Sequence, residues 1–180
     1  TTTDPNGATY YKQGSILPKV FGGFNTTLRI GGFDATVAFD YQIGGKIQDY
    51  RYASLMTPRE TGNGAGSAIH KDYIKSWSPN NTSSNIPRWQ YGDRYTVFAS
   101  SSRFLTNASY LNFQSFTVGY TLPKKWSNFV SKIRVYAAGE NLCFWSARKG
   151  LDPRYSYDGN SSITPYSPAR NISGGIQLTF

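Results

Sequence analysis

The sequence contains one histidine, His70, which is the first residue to test for catalytic chemistry. A histidine that acts as a general base needs a nucleophile beside it and a carboxylate that orients its ring. No such constellation surrounds His70 in the sequence, and its neighbours Lys71 and Asp72 belong to the same predicted short helix. We therefore predict that His70 is a surface residue, that the chain has no catalytic residues and that it is not an enzyme.

Two loops and one cysteine could in principle bind a phosphate or a metal. The stretch "GNGAGS" at 62–67 is rich in glycine, but it follows no predicted strand and lacks the Lys-Ser/Thr ending of a P-loop. The stretch "LDPRYSYDGNSS" at 151–162 offers Asp152, Asp158 and Asn160, but their spacing differs from that of a calcium loop. Cys143 is the single cysteine and has no cluster of metal ligands around it. We predict no metal and no cofactor.

Aromatic residues in polar loops are the better candidates for binding. Sugars present apolar C–H faces that stack on aromatic rings, and their hydroxyl groups need polar partners. We predict contacts with a substrate or a partner protein, and the alternative is that these rings pack the long loops together. The candidate contact residues are Trp77, Arg88, Trp89, Tyr91, Tyr155 and Tyr157.

The composition limits the class of protein. The formal net charge is +9, but the basic residues are scattered and form no dense run, so we predict no nucleic-acid partner. Mean hydropathy is −0.48, and no stretch approaches the roughly 18–20 consecutive apolar residues of a membrane helix. Aromatic residues nevertheless reach 16% of the chain.

Alternation of apolar and polar residues with a period of two is the dominant pattern, and it predicts β-strands. The firmest local prediction is a hairpin in which Gly31-Gly32 forms a two-residue turn. One short helix is predicted around "SAIHKDYIKSW" (67–77). The predicted strands are "FNTTLRI" (24–30), "FDATVAFDYQI" (33–43), "LNFQSFTVGYTL" (111–122), "IRVYAAGENLCF" (133–144) and "NISGGIQLTF" (171–180).

The connections between these strands alternate between short (31–32 and 123–132) and long (46–110 and 145–170). Transmembrane barrels have short turns on the periplasmic side and long loops outside, and strands of about 10–12 residues can cross the bilayer at a tilt. The alternative is a secreted β-sandwich that serves as a carbohydrate-binding or adhesin module, but sandwiches favour evenly short loops. Because five strands cannot close a barrel, we expect the chain to be a fragment of a larger one.

A barrel wall requires one face toward lipid and one toward the lumen. Simple alternation places Asn112 and Gln114 on the same side as Phe116, Val118, Tyr120 and Leu122, although their polarity differs. Aromatic residues are expected at both membrane boundaries: Phe33, Tyr120, Trp126 and Phe180 on one side, and Phe21, Tyr41, Phe113, Phe144 and Trp145 on the other. We predict a lipid-facing set of Val37, Phe39, Val118 and Tyr120, and a lumen-facing set of Asp34, Asp40, Asn112, Gln114 and Gln177.

Several stretches of the chain resemble the C-terminal end of SusC/RagA-family TonB-dependent transporters of the Gram-negative outer membrane. The specific combination is "SYL" at 109–111 and "GYTLP" at 119–123, followed by "GENL" at 139–142 and "KGLDP" at 149–153. The other matching stretches are "LPKVFGGFNTTLRIGGFDATVAFDYQIGGKI", "YIKSWSPNNTSSNIPRW" and the terminal "GGIQLTF". Together they span about residues 15–180.

The resemblance implies an all-β fold: the last five antiparallel strands of a 22-stranded barrel with long extracellular loops. It implies a plug domain and a TonB box upstream of this sequence, and a SusD-like surface lipoprotein that closes over the barrel as a lid. Such pairs import oligosaccharides, or less often peptides, with energy delivered by TonB. It also implies that the terminal aromatic residue Phe180 is read as an assembly signal, and that the candidate loop aromatics contact substrate or lid.

Overall fold

The computed structural model describes residues 7, 9–57, 66, 68–88, 101–126, 129–155 and 167–180. In this part of the chain, none of the helices has the length and apolar character needed to cross a bilayer. The elements are β1 (Val20–Ile30), β2 (Phe33–Ile43), β3 (Lys46–Gln48), α1 (Tyr50–Leu55), β4 (Leu105–Asn107), β5 (Tyr110–Thr121), β6 (Lys132–Ser146) and β7 (Asn171–Thr179).

The five long strands form one antiparallel sheet in the order β1-β2-β5-β6-β7. Each strand therefore pairs with the next long strand of the chain, which is the up-and-down topology expected of a barrel wall. The predictions of an all-β fold and of five antiparallel strands are confirmed. A sandwich would divide these strands between two packed sheets, whereas here all five lie in one sheet.

The alternation of short and long connections is built into this sheet. The residues between β1 and β2 and between β5 and β6 join strands at one end, and the two long connections start from the opposite end. Because every neighbouring pair is antiparallel, β7 runs in the same direction as β1 and ends level with the Gly31–Gly32 turn. The predicted direction of the final strand is therefore correct.

The strand register separates an apolar face from a polar face. On the apolar face, Phe24, Phe39 and Phe113 stack across β1, β2 and β5, with ring centres 4.9 and 4.8 Å apart. Aromatic pairs at such distances contribute about 0.5–1.5 kcal/mol each beyond simple burial. Also on this face are Leu28, Ile30, Phe33, Ala35, Val37, Phe116, Val118, Tyr120, Val135, Ile172, Ile176 and Leu178.

A β-bulge at Gln114 explains why alternate positions of β5, which should all face the same side, include both polar and apolar residues. Phe39 pairs with Phe113 and Ala38 pairs with Ser115, so Gln114 has no partner on β2. A bulge inserts one residue and reverses which side the following residues face. Asn112 consequently lies on the polar face, while Phe116 lies on the apolar face, contrary to simple alternation.

The predicted aromatic boundaries need one correction. Phe33, Tyr120, Tyr41, Phe113 and Trp145 lie on the apolar face, in agreement with a lipid boundary. Phe21 pairs with Gln42, and Phe144 pairs with Asn112, so both lie on the polar face instead. The prediction sorted them only by depth, and depth does not determine which face of the sheet a side chain occupies.

The described chain falls into two compact units. The sheet unit comprises 18–44, 108–153 and 166–180, and contains the five long strands. The loop unit comprises 1–17, 45–107 and 154–165, and contains β3, β4 and α1. The segment 46–110 was predicted to be irregular with one short helix, but it also has α1 and a β3–β4 pair, which sequence reasoning missed.

The Gly31–Gly32 turn supports a prediction about the sheet unit. Gly31 has φ of +57° with open space around it, whereas a Cβ on Gly32 would lie 2.4 Å from the carbonyl oxygen of Thr121. The Thr121 N–H also donates to the Gly32 carbonyl at 2.7 Å. We expect Gly31→Ala to cost about 1 kcal/mol of backbone strain and Gly32→Ala to cost more, because a backbone clash requires β5 to shift.

The measurement is the temperature at which the heat-modifiable gel shift of the full-length protein occurs in each variant. Gly31→Ala serves as the matched control for Gly32→Ala. A larger loss for Gly31→Ala would contradict the close packing of the turn against β5.

Candidate functional site

The polar face of the sheet unit has an ion pair at the short-turn end. Arg134 on β6 donates from Nε to Oδ1 of Asp34 at 3.0 Å and from Nη2 to Oδ2 at 2.5 Å. The Arg134 guanidinium also lies 5.5 Å from the ring centre of Tyr136. Bidentate arginine–carboxylate pairs are stronger and more directional than ordinary surface pairs, so this contact fixes the position of both side chains.

Gly119 makes this ion pair possible. Asp34 is on β2 and Arg134 is on β6, so the guanidinium has to cross β5, which lies between them. Gly119 on β5 pairs with Asp34, and a Cβ there would lie 2.4 Å from Arg134 Nη2. The missing side chain therefore leaves the space in which the two charged groups meet, and the pair holds three strands in register.

Asp40 and Asn112 form a second polar contact on this face. Asn112 Nδ2 donates to Asp40 Oδ1 at 2.7 Å, and the Asn112 side chain is buried. Gln177 on β7 pairs with Arg134 in the register and so belongs to the same face. The structure thus brings Asp34, Asp40, Asn112 and Gln177 to one face, as predicted. Gln114 is the unpaired residue of the bulge, and its lumen-facing position stays a prediction.

The loop unit has a small core of its own around α1. The Asp49 side chain accepts a hydrogen bond from the Tyr52 N–H at 2.9 Å and caps the first turn of α1. The helix buries Ala53, and Met56 follows at its C-terminal end. Tyr73 and Phe104 complete the buried cluster. Tyr73 precedes and Phe104 follows the candidate contact residues of the first long loop, so this core anchors the loop on both sides of them.

His70 has a structural role in this unit. Its Nδ1 accepts a hydrogen bond from the Asp72 N–H at 3.2 Å, and its ring meets the Tyr52 ring edge to face at 4.9 Å. Tyr52 in turn donates its hydroxyl to Asp72 Oδ2 at 3.0 Å. His70 is partly exposed, with 31% of its side-chain surface accessible, and it also caps the short 3-10 helix Lys71–Lys75 and packs on a tyrosine.

The segment after this helix is fixed by hydrogen bonds within the loop unit. The Trp77 N–H donates to the Ile86 carbonyl at 2.8 Å. Asn81 Nδ2 and Ser84 Oγ both donate to the Lys75 carbonyl, at 3.0 and 2.5 Å. Ile86 packs against the buried cluster, so the segment is attached to the core of the unit.

These contacts create a surface cleft of about 330 Å³ between two of the predicted contact residues. Trp77 forms one side, with 37% of its surface exposed, and Arg88 is exposed on the lining. We name it the Trp77–Arg88 cleft. Among the described residues, its lining is Trp77, Ser84, Asn85, Ile86, Pro87 and Arg88.

The other predicted contact residues are distributed as follows. Trp89, Tyr91 and Tyr157 lie outside the described residues. Tyr155 ends the single-turn 3-10 helix Pro153–Tyr155. Their roles stay predictions. Phe180 directly follows β7 and is 84% exposed.

Sequence reasoning missed the remaining lining of the cleft. Ser84, Asn85, Ile86 and Pro87 have no distinctive chemistry in sequence, and contacts within the folded loop unit, such as the hydrogen bond between Trp77 and Ile86, bring them together. The available sequence signal for this cleft was the presence of aromatic residues and an arginine in a polar loop. Among the described residues, no group of three or more histidine, cysteine, aspartate or glutamate side chains could hold a metal ion.

Two curated proteins of Formosa agariphila are similar to this chain over nearly its whole length. TonB-dependent receptor P3 is 29% identical over 93% of the chain, and TonB-dependent receptor P26 is 26% identical over 93%. The chain spans only 17% of the length of either relative. No protein-family model matches the sequence.

The solved structures that resemble this fold include a transporter. The RagAB peptide transporter superposes with a TM-score of 0.75 at 25% identity, over 94% of this chain and 18% of that one. The resemblance to SusC/RagA-family TonB-dependent receptors is confirmed. The RagAB peptide importer in its 'closed-closed' state shares the fold of this chain, with a TM-score of 0.74 at 23% identity over 99% of this chain and 20% of that one.

Proposed function

We propose that this chain is the C-terminal part of the β-barrel of a TonB-dependent transporter in the Gram-negative outer membrane. The whole barrel would have 22 strands, of which β1, β2, β5, β6 and β7 are the last five. A plug domain and a TonB box would precede this segment in the complete protein. The transporter would import oligosaccharides or peptides, and its energy would come from TonB.

The separation of the two sheet faces is the observation that supports this proposal best. A sheet whose apolar face consists of aromatic and aliphatic side chains needs a hydrocarbon or protein environment on that side. Its other face has a bidentate ion pair and a buried asparagine–aspartate contact, which would suit a polar lumen. The free edges of β1 and β7 also require further strands, because lipid offers no hydrogen-bond partners.

The proposed partner is a SusD-like surface lipoprotein that covers the mouth of the barrel. The similar structure at 25% identity is described as the RagAB peptide transporter, and this similarity supports a transporter with a lipoprotein partner. The segment 46–110 would lie outside the cell, where Trp77, Arg88, Trp89 and Tyr91 could contact substrate or lid. Tyr155 and Tyr157 would belong to the second long loop.

The proposal is tested in cells that express the full-length transporter and its lid lipoprotein. We expect growth on the cognate nutrient to require TonB, and we expect Trp89→Ala with Tyr91→Ala to lower uptake or lid association. The amount of folded barrel should stay the same, because we predict that both residues belong to the long loop 46–110. Uptake that is unchanged in a strain without TonB would contradict the transporter proposal.

A further inference from the structure

We infer that the Trp77–Arg88 cleft binds an acidic sugar residue, one with a carboxylate or sulfate group, as part of an oligosaccharide. This inference rests on the proposed function, because it names the substrate class of the proposed importer. It depends on three features of the cleft: an arginine that forms no ion pair with a described residue, an exposed tryptophan, and backbone groups of Trp77 and Ile86 that are already hydrogen-bonded.

Arg88 supplies the charge. In the part of the chain that the structure describes, no carboxylate forms an ion pair with Arg88, and no aspartate or glutamate lines the cleft. The guanidinium is a planar group whose donors match carboxylate and sulfate oxygens in pairs. An anion would therefore gain a charge-assisted contact here without first displacing an acidic side chain.

Trp77 supplies the surface for a sugar ring. Its backbone is fixed by the hydrogen bond to Ile86, yet 37% of the residue stays exposed. An exposed indole carried on a fixed backbone is suited to stack on the C–H face of a pyranose. Asn85 is exposed on the same lining and offers an amide donor and acceptor for sugar hydroxyl groups.

The backbone of the cleft is poorly suited to a peptide. Peptides that bind in extended form pair with free backbone groups at a strand edge. Here the Trp77 N–H and the Ile86 carbonyl bind each other, and the Ile86 N–H binds Ser84 Oγ at 3.1 Å. The Lys75 carbonyl accepts from two side chains. These four backbone groups are therefore engaged within the chain, which favours recognition by side chains and hence a glycan.

The test measures binding to the purified full-length transporter in detergent, with its lid lipoprotein, by isothermal titration calorimetry. The probes are tetragalacturonate, its fully methyl-esterified neutral form, and tetraglutamate as an acidic peptide. We expect tetragalacturonate to bind at least about ten-fold more tightly than the neutral ester, and this advantage should shrink at high salt.

Variants in the cleft then identify the residues responsible. Arg88→Gln should weaken tetragalacturonate about ten-fold or more and leave the ester unchanged, whereas Trp77→Ala should weaken both saccharides. Lys71→Gln and Ile74→Ala are matched controls, because both residues are exposed on the neighbouring 3-10 helix outside the cleft lining. Both controls should bind like the wild type.

Two kinds of failure are distinguishable. Equal binding of acid and ester, no loss with Arg88→Gln, or tighter binding of tetraglutamate than of either saccharide would overturn the acidic-sugar inference. If TonB-dependent uptake of some other nutrient persists in those cases, the transporter proposal survives. If no TonB-dependent uptake exists at all, the proposed function itself fails.

Discussion

Replacing Val37 with lysine is expected to lower the amount of assembled transporter sharply, while lysine at the adjacent Thr36 is expected to be tolerated. Val37 lies near the middle of β2 on the apolar face, between Thr26 and Phe116. A lysine that faces lipid at the bilayer midplane costs about 2–4 kcal/mol. Thr36 lies on the polar face, between Thr27 and Thr117.

The measurement is the fraction of heat-modifiable, protease-resistant barrel in outer-membrane fractions of cells that express each full-length variant. Thr36→Lys removes one threonine–threonine contact, in which the two hydroxyl oxygens are 3.0 Å apart, so a slight loss of stability is expected. Val37→Ile should assemble normally and separates the effect of charge from that of any substitution. Equal assembly of the two lysine variants would contradict the assignment of faces.

The second large effect is expected at Phe180. Deletion of Phe180, or its replacement by aspartate, should lower assembled transporter far more than Thr179→Asp. Phe180 lies two residues after Leu178 and so follows Ile172, Ile176 and Leu178 on the apolar side of the strand. It is 84% exposed. An aromatic ring at that position would lie in the membrane–water interface, where such side chains are favoured, and would be available to the assembly machinery.

The same gel-shift and proteolysis measurement applies to this series, with Phe180→Tyr as the variant expected to restore assembly. Thr179 pairs with Lys132 at the end of the sheet, so Thr179→Asp controls for a new charge beside the same terminus. Normal assembly of the protein without Phe180 would show that the terminal ring has no role in assembly.

Much of the sheet could be predicted because its faces differ so strongly in polarity. The hairpin around Gly31–Gly32, the five strands and their connections all follow from period-two alternation and one turn signal. The bulge at Gln114 could not be placed, since a bulge changes pairing without a required residue type. Phe21 and Phe144 were sorted by depth alone, and the strand pairing places both on the polar face.

The loop unit was predicted less well for a different physical reason. Helix α1 has six residues and is stabilised by contacts distant in sequence, such as the packing of Ala53 and Met56 with Phe104. Short helices have weak local signals, because tertiary packing supplies most of their stability. The lining of the cleft also depends on tertiary contacts. Trp77 and Arg88 were identified by residue type, but Ile86 and Asn85 were not.

The most direct test of the account measures which face of β2 touches lipid in the intact transporter. Spin labels are attached one at a time at positions 35 to 39 of the full-length protein, in which Cys143 is replaced by alanine, and the protein is reconstituted in bilayers. Collision with dissolved oxygen, which concentrates in hydrocarbon, is compared with collision with a water-soluble nickel complex. The account predicts high oxygen collision at positions 35, 37 and 39 and low collision at 36 and 38. Uniform exposure to the nickel complex at all five positions would contradict it.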